Sequence, residues 1–139
     1  MLQETDKAWL AGIIDGEGCI SLFKRKTYFV PSVKICNTNE KLINKCKEIL
    51  SKAGIEYCIR YSDRGNRKNA KPAWELCLES RPRVIAVLEL IYPYLVSKKE
   101  QANLVLEWCS QAKRKPEDTQ NLFIDNIREL NRRGRSNLT

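Results

Sequence analysis

Histidine is absent from all 139 residues. That excludes every His-ligated zinc site and every His general base, so chemistry has to come from carboxylates, lysine, amides or a metal. The six cysteines, at 19, 36, 46, 58, 77 and 109, contain no Cys-x-x-Cys pair, which excludes a zinc ribbon and a dithiol redox motif. Most lie among apolar neighbours and read as reduced core residues, with disulfides as the alternative. No apolar run approaches the roughly 20 residues that a membrane span requires, so the reading has no membrane partner. Met1 to Lys7 carries Glu4 and Asp6 with no sufficient apolar core behind it. This does not read as a signal peptide, and an intracellular protein is expected, its compartment open. No Pro- or Gly-rich linker and no second copy of any motif divides the chain, so residues 1–139 read as one domain with a proper core.

What is present is positive charge. Lys and Arg number 25 against 17 Asp and Glu, a net +8, the electrostatic footprint of a nucleic-acid binder, although anionic lipid would also accept it.

The chain is organised around Leu10-Ala11-Gly12-Ile13-Ile14-Asp15-Gly16-Glu17-Gly18. From Ala8 to Ile14 every residue is apolar or glycine, which leaves no solvent-facing stripe on a helix and predicts burial on all sides. A helix is predicted over residues 6–16, with Thr5 as N-cap and a glycine-mediated stop. Small residues at Ala8, Ala11 and Gly12 would let a second helix approach unusually closely. Glu17 then falls at a helix C-terminus, where the macrodipole disfavours a carboxylate unless a cation answers it, and an acid so placed invites a metal.

Alternation next predicts two hairpins. In the first, Ile20, Leu22, Phe29, Val33 and Ile35 face inward, Ser21, Phe23, Arg25, Ser32 and Lys34 face outward, and a basic loop joins them at 24–27. A helix follows from Asn37-Thr38-Asn39-Glu40 to Gly54. The second hairpin puts Tyr57, Ile59, Tyr61, Trp74, Leu76 and Leu78 inward and Arg60, Ser62, Arg64, Glu75 and Cys77 outward, with a basic connection that includes Arg67 and Lys68. Three helices end the chain, the second over Ser97 to about Ala112 and the last over about 117–133.

The stretch LAGIIDGEG resembles the signature of the LAGLIDADG homing endonucleases in their single-motif form, and the resemblance spans roughly residues 5 to 110. It implies an α+β chain with the αββαββα homing-endonuclease fold, a curved antiparallel sheet and C-terminal helices. It also implies a homodimer through the motif helix, with Ala8, Ala11, Gly12 and Asp15 at the interface. By the same resemblance Glu17 and the Gly16 carbonyl are the ligands of Mg²⁺, with Mn²⁺ able to substitute, and Asp15 is the more structural acid. Pro93 to Leu104 resembles the family segment that carries its active-site lysine, which makes Lys98 the match. Here Ser97 and Glu100 also read as a capping box that pins Lys98 in the first helical turn. Asn37 stands where the family usually has a glutamine that orders active-site water, and Lys41 matches a nearby basic residue. Asn37 is shorter than glutamine and competes with a plain N-cap role beside Glu40.

On the sheet, the outward set Ser21, Phe23, Arg25, Ser32, Lys34, Arg60, Ser62, Arg64, Glu75 and Cys77 suits a major groove, where Arg and Lys bond guanine and a carboxylate accepts from cytosine. An ordinary solvated face is the alternative. Lys26, Arg67 and Lys68 in the loops suit phosphate, supplying affinity rather than sequence choice. The expectation is a site-specific endonuclease that acts as a homodimer on a long pseudo-palindromic duplex; the resemblance implies a homing enzyme of the intron-encoded kind, intein origin staying open, and an outcome of short 3′ overhangs. An RNA-splicing maturase, or a catalytically inactive DNA-binding regulator of the same fold, stands as the alternative.

Overall fold

A computed structural model describes residues 2–62, 72–111 and 117–136. Helix α1 (Glu4–Glu17) starts two residues before the expected position, with Thr5 inside its first turn rather than capping it. Glu4 and Asp6 occupy that turn, where the exposed N–H groups favour acids, and the Gln3 N–H donates to the Asp6 carboxylate at 3.4 Å. The helix stops at Gly18, whose N–H bonds the Ile14 carbonyl, and the chain passes without a loop into β1 (Gly18–Arg25). A Cβ at Gly18 would lie 2.8 Å from Ile14 Cα and 2.9 Å from its carbonyl oxygen. Only glycine lets the strand leave so close to the helix.

The first hairpin is tighter than predicted. Arg25 pairs with Tyr28, so the turn is Lys26-Thr27 alone, with Lys26 at φ 56, and Lys24 and Arg25 belong to the strand. Strand β2 (Tyr28–Asn37) leads to α2 (Glu40–Lys52), capped by the Asn39 side chain accepting from the Lys41 N–H at 3.0 Å. Gly54, at φ +72, turns the chain out of that helix. Strands β3 (Cys58–Ser62) and β4 (Ala73–Leu78) are followed by α3 (Arg81–Ile91), a 3₁₀ turn at Tyr92–Tyr94, α4 (Lys99–Gln111) and α5 (Glu117–Ser136). The order is the predicted αββαββα with further helices behind it.

The four strands form one antiparallel sheet in the order β1-β2-β4-β3. Ile20, Leu22, Val33, Ile35, Leu76 and Leu78 pack in a single core with Leu10 and Ile14 of α1, Ile43, Ile49 and Leu50 of α2, Val87 and Leu88 of α3, Val105 and Trp108 of α4, and Ile124 and Ile127 of α5. Each fully buried Leu or Ile contributes about 1.5–3 kcal/mol relative to exposure. The sheet's two edges are handled differently. Asn131 of α5 donates to the Ile20 carbonyl at 3.2 Å and accepts from the buried Gln101 at 3.3 Å, which ties α5 and α4 to β1. Strand β3 lies beyond the helices and is exposed throughout. Ile59 and Tyr61 therefore share the inner parity, as expected, without the expected burial; Tyr61 packs instead on Trp74, 5.3 Å between ring centroids.

Candidate active site and nucleic-acid interface

The C-terminus of α1 brings three elements together. Glu17, exposed in the helix's last position, accepts a hydrogen bond from the Asn37 side-chain amide at the end of β2. The Asn37 side-chain oxygen in turn accepts from the Asn39 N–H at 2.7 Å. Asn37 is thus not the cap of α2, a place taken by Asn39, and its short side chain reaches Glu17 because β2 ends directly alongside α1. Lys41 stands exposed on the first turn of α2, its backbone N–H bonded to Asn39 and its side chain given no described contact with Glu17.

The third element is the start of α4. The expected Ser97–Glu100 capping box does not form. Instead the Asp15 carboxylate accepts from the Val96 N–H at 2.8 Å and the Lys98 N–H at 3.0 Å, capping α4 from across the fold. The Ser97 hydroxyl and the Lys98 ammonium both donate to the Asp15 carbonyl, at 3.3 and 2.6 Å. Lys98 stands directly before α4, its carbonyl accepting from the Ala102 N–H at 3.0 Å, so its charge lies at the positive end of that helix and is offset by the bond to Asp15. Its ammonium bonds the Asp15 carbonyl and so answers the negative end of α1, two residues before Glu17 in the chain. Among the described residues no group of three or more Cys, Asp or Glu is arranged to hold a metal.

The motif helix is not buried all round within one chain. Leu10, Ala11 and Ile14 are wholly inside, but Ala8, Gly12 and Gly16 are exposed, and a Cβ at Gly12 or Gly16 would meet nothing within 4 Å. Ala11 consequently departs from its expected interface role, because its methyl packs in the chain's own core; the open stripe is Ala8, Gly12 and Gly16, with half-buried Asp15 beside it. Val96, 83% exposed, adds an apolar side chain near the same helix end.

On the outer sheet face, cross-strand pairing brings Ser21, Phe23 and Arg25 of β1 beside Ser32 and Lys34 of β2, then Glu75 and Cys77 of β4 and Arg60 of β3; Ser62 ends β3 exposed. Arg25 and Lys34 lie over the Phe23 ring at 5.1 and 5.6 Å. Two members differ from expectation. Ser32 is fully buried, its hydroxyl without a hydrogen-bond partner among the described residues, on the face where Arg25 and Lys34 pair with Glu79. Cys77 is buried and donates to the Glu75 carboxylate at 2.9 Å; burial first, then Glu75, pushes its thiol up to about 12. Lys24 points to the helix side and pairs with Glu117, while Lys26 is exposed in the turn. Arg64, Arg67 and Lys68 lie outside the described residues.

Sequence reading missed Glu79. Its carboxylate lies 3.3 Å from Arg25, 3.4 Å from Lys34 and 3.8 Å from Arg60. Burial alone would raise its pKa, but Lys34, Arg25 and Arg60 together outweigh that and hold it below the ordinary carboxylate range. The available signal is parity: Glu75, Cys77 and Glu79 fall at period two, which puts Glu79 on the outer face one residue beyond β4.

The helix-end acid, its lysine and the one-sided sheet define a class. The model of the LAGLIDADG-like domain matches residues 4–106, and the chain belongs to that family. Its fold is that of the homing endonucleases. Over 91% of this chain and 82% of the other it superposes on the homing endonuclease I-CvuI, crystallised with a DNA target in the presence of magnesium, at TM-score 0.68 and 24% identity. The archaeal intron-encoded homing endonuclease I-Vdi141I, complexed with DNA, gives TM-score 0.68 at 14% identity, covering 93% and 84%. In sequence, 60 residues are 42% identical to an uncharacterised protein of Methanocaldococcus jannaschii, a match spanning 43% of this chain and 22% of that protein.

Proposed function

We propose that this chain is a homodimeric, divalent-metal-dependent, sequence-specific DNA endonuclease. The observation that carries the reading is the convergence of Glu17, Asn37 and Lys98 on one exposed helix end, flanked by a stripe of Ala8, Gly12 and Gly16 that the chain's own packing leaves open. A helix whose open side carries so little side chain suits close packing against its own copy, which would bring two Glu17 carboxylates near a two-fold axis.

The donors fit Mg²⁺ in kind, being a carboxylate at Glu17 and a carbonyl at Gly16, and Mn²⁺ would accept the same oxygens. One chain supplies too few of them, so a second chain and the phosphates of the substrate would have to complete the set. When bound, the metal polarises the phosphate and lowers the pKa of the attacking water. Asn37 orients the Glu17 carboxylate, and the Lys98 charge offsets the helix-end carbonyls so that anionic Glu17 and the phosphate are tolerated together. Arg25, Lys34 and Arg60 face base edges, while Lys26, Arg67 and Lys68 serve phosphates. A two-fold dimer reads a pseudo-palindromic site.

The test is incubation of the purified protein and Mg²⁺ with a randomised duplex library, followed by strand separation, with Glu17→Gln in parallel. The parent is expected to cut both strands of selected sites; the amide variant keeps the shape, loses the charge and retains binding without cleavage. Equal cutting by Glu17→Gln removes the mechanism. A parent that never cuts duplex but promotes splicing of structured RNA replaces the reading with a maturase.

A further inference from the structure

The outer sheet face is less basic than its list of cations suggests. Its three described cations, Arg25, Lys34 and Arg60, all turn to the same carboxylate, at 3.3, 3.4 and 3.8 Å, from three different strands. Glu79 is the least exposed member of the group, its side chain 16% accessible against 45%, 34% and 57% for the three cations. Its Oε1 is buried, with the Lys34 ammonium near but short of hydrogen-bond geometry, so this oxygen keeps acceptor capacity. Arg60 also meets Glu75 at 3.7 Å.

A face evolved only for affinity would gain by carrying no acid, since every carboxylate near a phosphate repels it. A half-buried acid shared by three cations has two effects. It cancels one positive charge that generic backbone contact would use, and it draws to one point three side chains whose other contacts are the Phe23 ring and Glu75. Only a ligand that offers the cations better partners in the same places, such as the N7 and O6 acceptors of guanine, compensates for their loss.

Resting on the endonuclease reading above, we infer that Glu79 is a selectivity residue of the DNA-reading sheet. It holds Arg25, Lys34 and Arg60 against nonspecific phosphate and sets the positions from which they meet base edges. It acts through those cations and is therefore a positioning residue.

Binding of the full chain is measured to a scrambled duplex and to a duplex selected from the randomised library, each over a salt series without catalytic metal. With Glu79→Gln, the slope of log affinity against log salt for the scrambled duplex steepens by about 1, which is about a fourfold greater loss of affinity for each fourfold rise in salt. The ratio of selected to scrambled affinity falls by about the same factor at low salt. Glu79→Ala repeats the result with a second uncharged side chain, so a folding failure in one does not decide the matter. Glu79→Asp keeps the charge and keeps the parent slope. If both uncharged variants leave the slope unchanged, or lower affinity for both duplexes equally, the inference is overturned while the endonuclease reading stands. A parent that binds neither duplex overturns the endonuclease reading, and this inference with it.

Discussion

Replacing Asp15 by asparagine probes the joint between the motif helix and α4 without touching Glu17. The carboxylate accepts two backbone N–H groups, from Val96 at 2.8 Å and Lys98 at 3.0 Å, one on each oxygen. Asparagine keeps one acceptor and turns an NH₂ toward the other N–H, so one charge-assisted bond is lost and its donor faces a donor. Such bonds contribute about 1.5–3 kcal/mol when well shielded. Asp15 is only half-buried, which reduces the expected loss to about 1–2 kcal/mol, or a drop in Tm of roughly 3–10 °C for a chain of this size. Urea unfolding followed by circular dichroism should show a lower midpoint at unchanged m-value. Hydrogen exchange should show faster exchange at the Val96 and Lys98 amides in particular, because their acceptor is weakened. Glu17→Gln is the control: exposed at the same helix end and still able to accept from Asn37, it should move stability by less than about 0.5 kcal/mol. An Asp15→Asn protein with the parent's midpoint and unchanged exchange at those two amides would refute the capping argument.

Gly12→Leu should leave the single chain's fold intact, since a Cβ there meets nothing within 4 Å, and even favour its helix by up to about 1 kcal/mol, while forcing paired motif helices apart. Sedimentation velocity should then find monomers, and a surviving dimer would place the interface elsewhere. Thiol chemistry offers another check. Burial raises Cys46 to about 11 and Cys77 to about 12, so at pH 8 thiolate is present in only about one molecule in a thousand and one in ten thousand, rising only as pH approaches those values. Iodoacetamide should label exposed Cys36 and Cys58 ahead of the rest and spare Cys46 and Cys77; labelling of Cys77 as fast as Cys58 in folded protein would contradict the described sheet face.

Of the fold, the sequence by itself determined the elements and their order. Period-two alternation in Ile20 and Leu22 or Leu76 and Leu78, and 3.6-residue spacing in Ile43, Cys46, Ile49 and Leu50, are imposed by having one face in a core, and a core contact is recorded locally in every residue that makes it. The motif glycines were legible for a related reason, since Gly18 answers to its own helix one turn back. Helix starts were less legible. Thr5 and the Ser97–Glu100 pair had the right chemistry for caps, but an N–H group accepts any carboxylate that tertiary packing delivers, and for α4 that was Asp15, 83 positions away from Lys98. The same limit applied to the site. Sequence could nominate Glu17, Asn37 and Lys98 by resemblance; only the passage of β2 and α4 past one end of α1 brings them together. Ala11 and Gly12 are adjacent small residues, and the rotation of the helix against its own sheet decided that one is core and the other surface. Period two with Glu75 and Cys77 puts Glu79 on the outer face, but its role was not legible, because the partners that give it meaning lie on three strands and long-range ion pairing leaves no pattern in the chain.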